Sequence, residues 1–187
     1  MIRHSLYVLT IGINVYPKDS NIYNLKFAVA DAKGVADEFS TKEVENAHIK
    51  VEVKTLVDSA ATLSGIRSAL EHLIKVCKLE DVVIFYFSGN GFQPTDPLGC
   101  SASARLPRDY NFLVFDSFSL GDGISSAMNS LTARDLSLLL LSIQAQRQIV
   151  ILDSSPPEAR KVPHKEVHWI TVVISHDPSI CSPPRSP

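Results

Sequence analysis

The chain has no surplus of charge of either sign, no long apolar run and no cysteine framework, and each absence narrows what it can do. Its 18 Lys and Arg stand against 20 Asp and Glu, a formal charge of −2 over 187 residues. No strong field is available to draw in a polyanion, so nucleic acid is not an expected partner. The longest apolar runs, at 82–87 and 138–141, fall far short of the ~20 residues that a membrane helix needs, so no membrane span is expected. The three cysteines, Cys77, Cys100 and Cys181, are an odd number without CxxC spacing, and no basic leader with a long apolar core opens the chain. The expected setting is reducing and cytoplasmic. No internal repeat is visible.

What is present is the composition of a folded α/β protein. With 45% apolar and 20% charged residues, the chain is neither disordered nor fibrous. One domain of this size buries roughly two thirds of its unfolded surface. That domain is expected over 1–178. The remaining 179–187, ending Cys181-Ser182-Pro183-Pro184-Arg185-Ser186-Pro187, have the composition of a disordered tail.

Residues 6–13 form an apolar run rich in β-formers. Ile49, Val51 and Val53 alternate with polar residues before Leu56-Val57, so both segments read as strands. Between them Asn24 is expected to cap a helix beginning near Leu25, with Leu25, Val29, Ala32, Ala36 and Phe39 at helical spacing. A second helix follows Thr62, with Leu63, Ile66, Leu70, Leu73, Ile74 and Cys77 on one face. The continuous run 82–87 then has the pattern of a central strand covered on both sides. A loop-rich stretch with Pro94, Pro97, Gly99 and Pro107 leads to a short run at 112–115 and a loop at 121–130. Thr132 and Asp135 make a capping box for a helix through about Gln144. Segments 148–152 and 169–174 supply two more strands. This alternation predicts a mostly parallel sheet flanked by helices, with functional groups beyond the carboxyl ends of its strands.

Two segments sit just past such ends: Tyr86-Phe87-Ser88-Gly89-Asn90-Gly91 and Asp153-Ser154-Ser155-Pro156-Pro157-Glu158. With the opening Leu9-Thr10-Ile11-Gly12-Ile13-Asn14, the pair Tyr16-Pro17, and Asn24-Leu25 followed by Asp31-Ala32, they make the chain resemble the caspase-like peptidases over about residues 6–175. The likeness is to the metacaspase and orthocaspase branch. It implies a caspase-like α/β/α sandwich, proteolysis after basic residues and a place in regulated cell death. It also implies one further strand at the sheet border, so the last strand of the full domain is expected to be missing and another caspase-like chain could cover the edge.

The family motifs usually read Tyr-Phe-Ser-Gly-His-Gly and Asp-Ser-Cys-His-Ser-Gly. By this resemblance Asn90 stands where the catalytic His would be, and Ser155 where the Cys would be. A cysteine peptidase needs a thiol nucleophile and an imidazole to handle the proton. An amide does not titrate in the working range, and a hydroxyl without a base is a weak nucleophile. Losing either group in such a unit costs ~10⁴ to 10⁶ in turnover, and the second loss adds little. Pro156-Pro157 replaces the usual His-Ser as well, so the departure spans the loop.

The resemblance further assigns Asp31, Ser88 and Asp153 to a pocket for a substrate Arg or Lys, in which carboxylates would make charge-assisted hydrogen bonds. Phe27, Ala28 and Ala30 depart from the family's usual Gly, Cys and Asn. The expected function is therefore a non-catalytic regulatory or interaction module that holds a protein or peptide by a basic side chain. Two alternatives stay open. One is an active endopeptidase using Cys100 or Ser155 with a base from His164, His168, His176 or a partner. The other is an unrelated α/β binding module.

Taken alone, Asn90-Gly91 is a common turn dipeptide, Asp31 a solvated helix carboxylate and Asp153 a strand-end cap. Cys77 lies on an apolar helix face and reads as core packing. His164 and His168 have zinc-like i, i+4 spacing, but Pro163 and the following strand leave no room for a helix, and no third ligand is present. Calcium enters by family resemblance only. Asp116, Asp122 and Asp135 lack the dense oxygen-ligand spacing of a dedicated loop, and no cofactor is expected.

Overall fold

The computed structural model describes residues 4–40, 49–92, 110–119, 127–155 and 169–175. The apolar runs become strands β1 (Ser5–Gly12), β2 (Lys50–Val57) and β3 (Val82–Phe92), separated by helices α1 (Ala28–Ser40) and α2 (Leu63–Val76). Short strands β4 (Asn111–Phe112), β5 (Phe118–Ser119), β6 (Ala127–Met128) and β7 (Leu131–Thr132) precede α3 (Ala133–Leu141). Strands β8 (Arg147–Ser155) and β9 (Trp169–Ser175) follow. The main sheet runs β2-β1-β3-β8-β9, parallel among its first four strands and antiparallel at β9. A mostly parallel sheet between helices is the expected architecture.

The period of two along each strand divides the sheet into two unlike faces. On one, Tyr7, Leu9 and Ile11 of β1 and Val83, Phe85 and Phe87 of β3 pack with Ile66, Ala69, Leu70 and Leu73 of α2 and Leu136 and Leu140 of α3. This is the main core, and Cys77 is buried in it as expected. On the other, the intervening residues Val8, Thr10, Ile84, Tyr86 and Ser88 are buried beneath α1, whose inward positions are Ala28, Ala32 and Ala36. A ridge of alanines lets the helix axis come close to the sheet. At the contact, Gly12 is so near that a Cβ there would meet the Ala28 carbonyl oxygen, the Ala32 Cβ at 2.7 Å and the Val29 Cα at 2.9 Å.

Several expected boundaries shift for identifiable reasons. Asn24 does not cap α1, because its Oδ1 accepts from the Tyr16 amide at 2.9 Å. The cap comes from Asn14, whose Oδ1 accepts from the Val29 amide at 3.2 Å, so the helix starts at Ala28 rather than near Leu25. Strand β3 runs on to Phe92 because its continuation pairs with β8 and then β4. Asn90-Gly91 is thus strand, not turn. Thr62 and Thr132 cap α2 and α3, accepting from Gly65 and Asp135 amides at 3.0 and 2.9 Å. Helix α3 stops at Leu141, short of Gln144. There the fully buried Gln148 donates its Nε2 to the carbonyls of Leu140, Ile143 and Ala145 at 3.0, 3.3 and 3.2 Å, drawing them off the helical path. Of the run 112–115, only Phe112 lies in a strand; Leu113 and Val114 are buried without pairing as strand.

Gly12 in β1 and Gly34 in α1 give opposite expectations. Gly12→Ala forces α1 off the sheet and is expected to cost about 1–3 kcal/mol. Gly34→Ala, on the same helix with nothing within 4 Å of the new Cβ, is expected to stabilise by about 0.5–1 kcal/mol. Urea unfolding of both variants against the parent checks the pair.

Candidate functional site

Parallel strands present their carboxyl ends on one side, and the register between β3 and β8 brings the sequence-predicted positions together. Ser88 lies opposite Asp153, Gly89 opposite Ser154 and Asn90 opposite Ser155. Neighbouring strands lie about 4.8 Å apart, so the backbones of Asn90 and Ser155 are adjacent. Pro156, Pro157, Cys100, His164, His168 and His176 lie outside the described residues. His4 precedes β1 at the amino ends of the strands, and His72 is exposed on α2.

Asn90 is 1% exposed, and its side-chain nitrogen, backbone N–H and carbonyl all have partners. Its Nδ2 donates to the Tyr23 carbonyl at 2.7 Å, its backbone N–H donates to the Tyr16 hydroxyl at 3.1 Å, and its carbonyl accepts from the Leu113 amide at 2.9 Å. Tyr16 in turn donates its hydroxyl to the Leu113 carbonyl at 3.3 Å. The amide side chain therefore serves as a tether between the end of β3 and the segment that leads into α1.

Asp31, Ser88 and Asp153 converge on the α1 face. Ser88 is buried and donates its hydroxyl to Asp153 Oδ2 at 3.2 Å. Asp31 stands exposed in the first turn of α1, close enough to act electrostatically on Asp153. Burial pushes the Asp153 carboxyl above its ordinary value; the Ser88 hydrogen bond opposes this and the Asp31 charge adds to it. Tyr86 joins them from beneath. Its phenol is pushed up to about 12 by burial first and then by Asp153 and Asp31, against a hydrogen bond with Ser88. The result is a half-buried, electronegative cluster of two carboxylates with neutral hydroxyls beside them.

A hydroxyl pair lies on the opposite face of the sheet, toward the main core. Tyr110 Oη and Ser154 Oγ are 2.9 Å apart, and a Cβ on Gly91 would collide with both. Burial raises the Tyr110 phenol and the Ser154 contact partly offsets this. A phenol shifted upward keeps its proton at neutral pH, so Tyr110 is not the base that would activate Ser154. The calcium implied by resemblance finds no fit among the described carboxylates. Asp116 accepts from the Leu63 amide at 2.8 Å at the start of α2, and Asp135 pairs with Arg67 at 2.9 Å. Asp122 lies outside the described residues, among which no cluster of three or more His, Cys, Asp or Glu could hold a metal.

Tyr16, Tyr23, Tyr86 and Tyr110 acquire site positions that sequence reasoning did not assign. Tyr16 and Tyr86 stood inside quoted motifs, yet nothing in spacing reveals that the first caps the backbone of Asn90 and the second underlies the two carboxylates.

The sheet order, helix placement and site at the ends of β3 and β8 define a caspase-like α/β fold. The caspase domain family, peptidase C14, matches residues 5–178, and the chain belongs to it. Among solved structures it is similar to protein GSU0716 from Geobacter sulfurreducens, with a TM-score of 0.58 and 24% identity. That likeness covers 84% of this chain and 53% of the other, so the chain spans about half the length of that protein. No curated protein matches the chain. Among the described residues no helix is long and apolar enough to cross a membrane.

The raised carboxyl of Asp153 has a definite sign in stability. A carboxylate harder to ionise in the folded than in the unfolded state contributes stability below its unfolded pKa, and loses it as pH rises through the folded value. Asp153→Asn is therefore expected to melt above the parent at pH 7, by about 1–2 °C once solvent screening of this half-exposed group is allowed for. The gap should close as the pH falls into the range where Asp153 is protonated in both states. Separately, Tyr16→Phe leaves the buried Asn90 amide without its acceptor and is expected to cost about 1–3 kcal/mol, read by denaturant unfolding.

Proposed function

We propose that this caspase-domain chain is a non-catalytic member of the metacaspase and orthocaspase branch, which binds a protein or peptide through a single basic side chain instead of cleaving it. The observation that carries the reading is the state of Asn90. At the position that the resemblance assigns to the catalytic imidazole, a buried amide spends its donor on the Tyr23 carbonyl at 2.7 Å. An amide so engaged neither takes nor gives a proton during acyl transfer. With Ser155 at the position assigned to the thiol, nucleophile and base are both lost.

The capacity to bind rests on other groups. Asp31 acts electrostatically on Asp153, and Ser88 orients Asp153 by donating to it. Two carboxylates without a described cation between them repel, and burial raises the cost. An arginine or lysine entering between them relieves both effects, so the pocket gains most from ionised carboxylates facing a cation. In this reading the chain acts as a regulatory module, whose partner presents an exposed basic residue.

Incubated with Arg- and Lys-containing peptides, with and without calcium, the purified chain is expected to release no product above the uncatalysed background. Sustained turnover that disappears in Ser155→Ala or Cys100→Ala would overturn the reading in favour of an active peptidase. Binding has its own signature. Ionised Asp153 attracts the cation and protonated Asp153 does not, so affinity for an arginine peptide should rise with pH through the acidic range and level off near neutrality. In Asp153→Asn it should be weaker by about tenfold, consistent with the loss of a charge-assisted hydrogen bond of about 1.5 kcal/mol. Fluorescence anisotropy from pH 4 to 8 reads both.

A further inference from the structure

The segment that joins β1 to α1 combines rigidity with exposed apolar surface in a way the fold does not require. Val15 is 48% exposed, and Tyr23 and Phe27 are each 70% exposed. Large apolar side chains held in water on one short segment are a mark of an interaction surface. The segment is pinned at many points. Asp58 Oδ1 accepts from the Asn14 and Val15 amides at 2.8 and 3.0 Å, and Asn24 Oδ1 accepts from Tyr16. The Leu25 amide donates to the Asn14 carbonyl at 2.7 Å, and the Tyr23 carbonyl accepts from Asn90.

This platform adjoins the Asp31–Asp153 cluster. Tyr23 is tied to Asn90 at the end of β3. The Phe27 carbonyl accepts from the Asp31 amide at 2.9 Å, so the exposed ring stands one helical turn from the Asp31 carboxylate. We infer that Tyr23 and Phe27 form a preformed apolar subsite beside the Asp31–Asp153 pocket, so that the partner is an extended peptide in which arginine is immediately flanked by an aromatic residue. The inference rests on the acidic-pocket reading above and specifies its ligand. Charge complementarity sets the arginine in the cleft, and the adjacent side chain then falls over the aromatic pair. Rigid anchoring means that little ordering cost is left for binding, so burial of the aromatic group appears as affinity. Lys26, exposed between the two rings in sequence, disfavours a second basic residue at the flanking position. The surface thus selects a single arginine with an apolar neighbour rather than a polybasic stretch.

Short labelled peptides of four compositions, Phe beside Arg, Ala beside Arg, Phe beside Gln and Ala beside Gln, each made in both orders, test this by anisotropy at pH 7. The parent is expected to bind the Phe–Arg peptide about tenfold more tightly than the Ala–Arg peptide, the scale of a partly buried aromatic side chain. Tyr23→Ala with Phe27→Ala should bring Phe–Arg binding down to the Ala–Arg level and leave Ala–Arg binding unchanged, whereas Phe27→Leu keeps most of the preference. Both side chains are exposed, and matching thermal melts establish that the variants fold. Absence of the preference in the parent, or its survival in the double variant, overturns the subsite. Failure of the acidic pocket looks different: Phe–Gln then binds as tightly as Phe–Arg, and the difference still vanishes in the double variant. If no peptide binds, both readings fall.

Discussion

Strand β3 is the element on which the rest of the molecule depends. It is hydrogen-bonded in parallel to β1 on one side and to β8 on the other, and ten of its positions, Val83 to Phe92, are buried. A strand paired on both edges has no freedom to slip, because a shift of one residue would exchange its faces. Phe85 and Phe87 would leave the α2 side, and Tyr86 and Ser88 would enter it. That register is also what sets Ser88 against Asp153 and Asn90 against Ser155. The architecture and the site follow from one set of hydrogen bonds.

The two faces of β3 do different work. Toward α2 and α3 it supplies bulk: Phe85 and Phe87 are fully buried, and Phe87 meets Phe112 edge to face at a centroid distance of 5.1 Å. Toward α1 it supplies hydroxyls, with Tyr86 and Ser88 beneath a helix whose inner side chains are alanines. A thin interface of this kind leaves little apolar material around Asp153, yet enough to raise its carboxyl. The close approach at Gly12 is what brings Asp31 over the strand ends. Packing density and electrostatics are thus linked here, since widening the contact would move one carboxylate away from the other.

Chemistry and binding are separable at such a site. In the proposed reading, nucleophile and base belong to two side chains near the strand ends, whereas recognition of a cation draws on charge spread over a helix and a strand. Asn90 illustrates the difference, because an amide is stable where an imidazole would otherwise be needed and ties down the chain that carries Tyr23 and Phe27. The same amide that holds the end of β3 thus also holds the segment that leads into α1.

Much of this was legible in the order of residues. Periodicities of two and 3.6 located every long strand and helix, and Thr62 and Thr132 announced their caps, because those signals depend on neighbours within a few positions. The quoted motifs marked the carboxyl-terminal parts of β3 and β8, although both strands run through them instead of stopping before them. Other features needed the folded chain. That Asn14 rather than Asn24 caps α1 is decided by which amide each side chain reaches once β1 and the helix are docked. That β3 extends through Asn90-Gly91, a dipeptide suited to a turn, is decided by the partners waiting on either side. The convergence of Asp31, Tyr86, Ser88 and Asp153, 31 to 153 in the numbering, is likewise beyond local pattern. The sequence by itself determined the alternation of elements and the absence of His and Cys at two motif positions. Only tertiary structure decided that those positions are neighbours, that the amide is tethered and that two carboxylates come near one another, since distance in space follows from sheet register and not from distance along the chain.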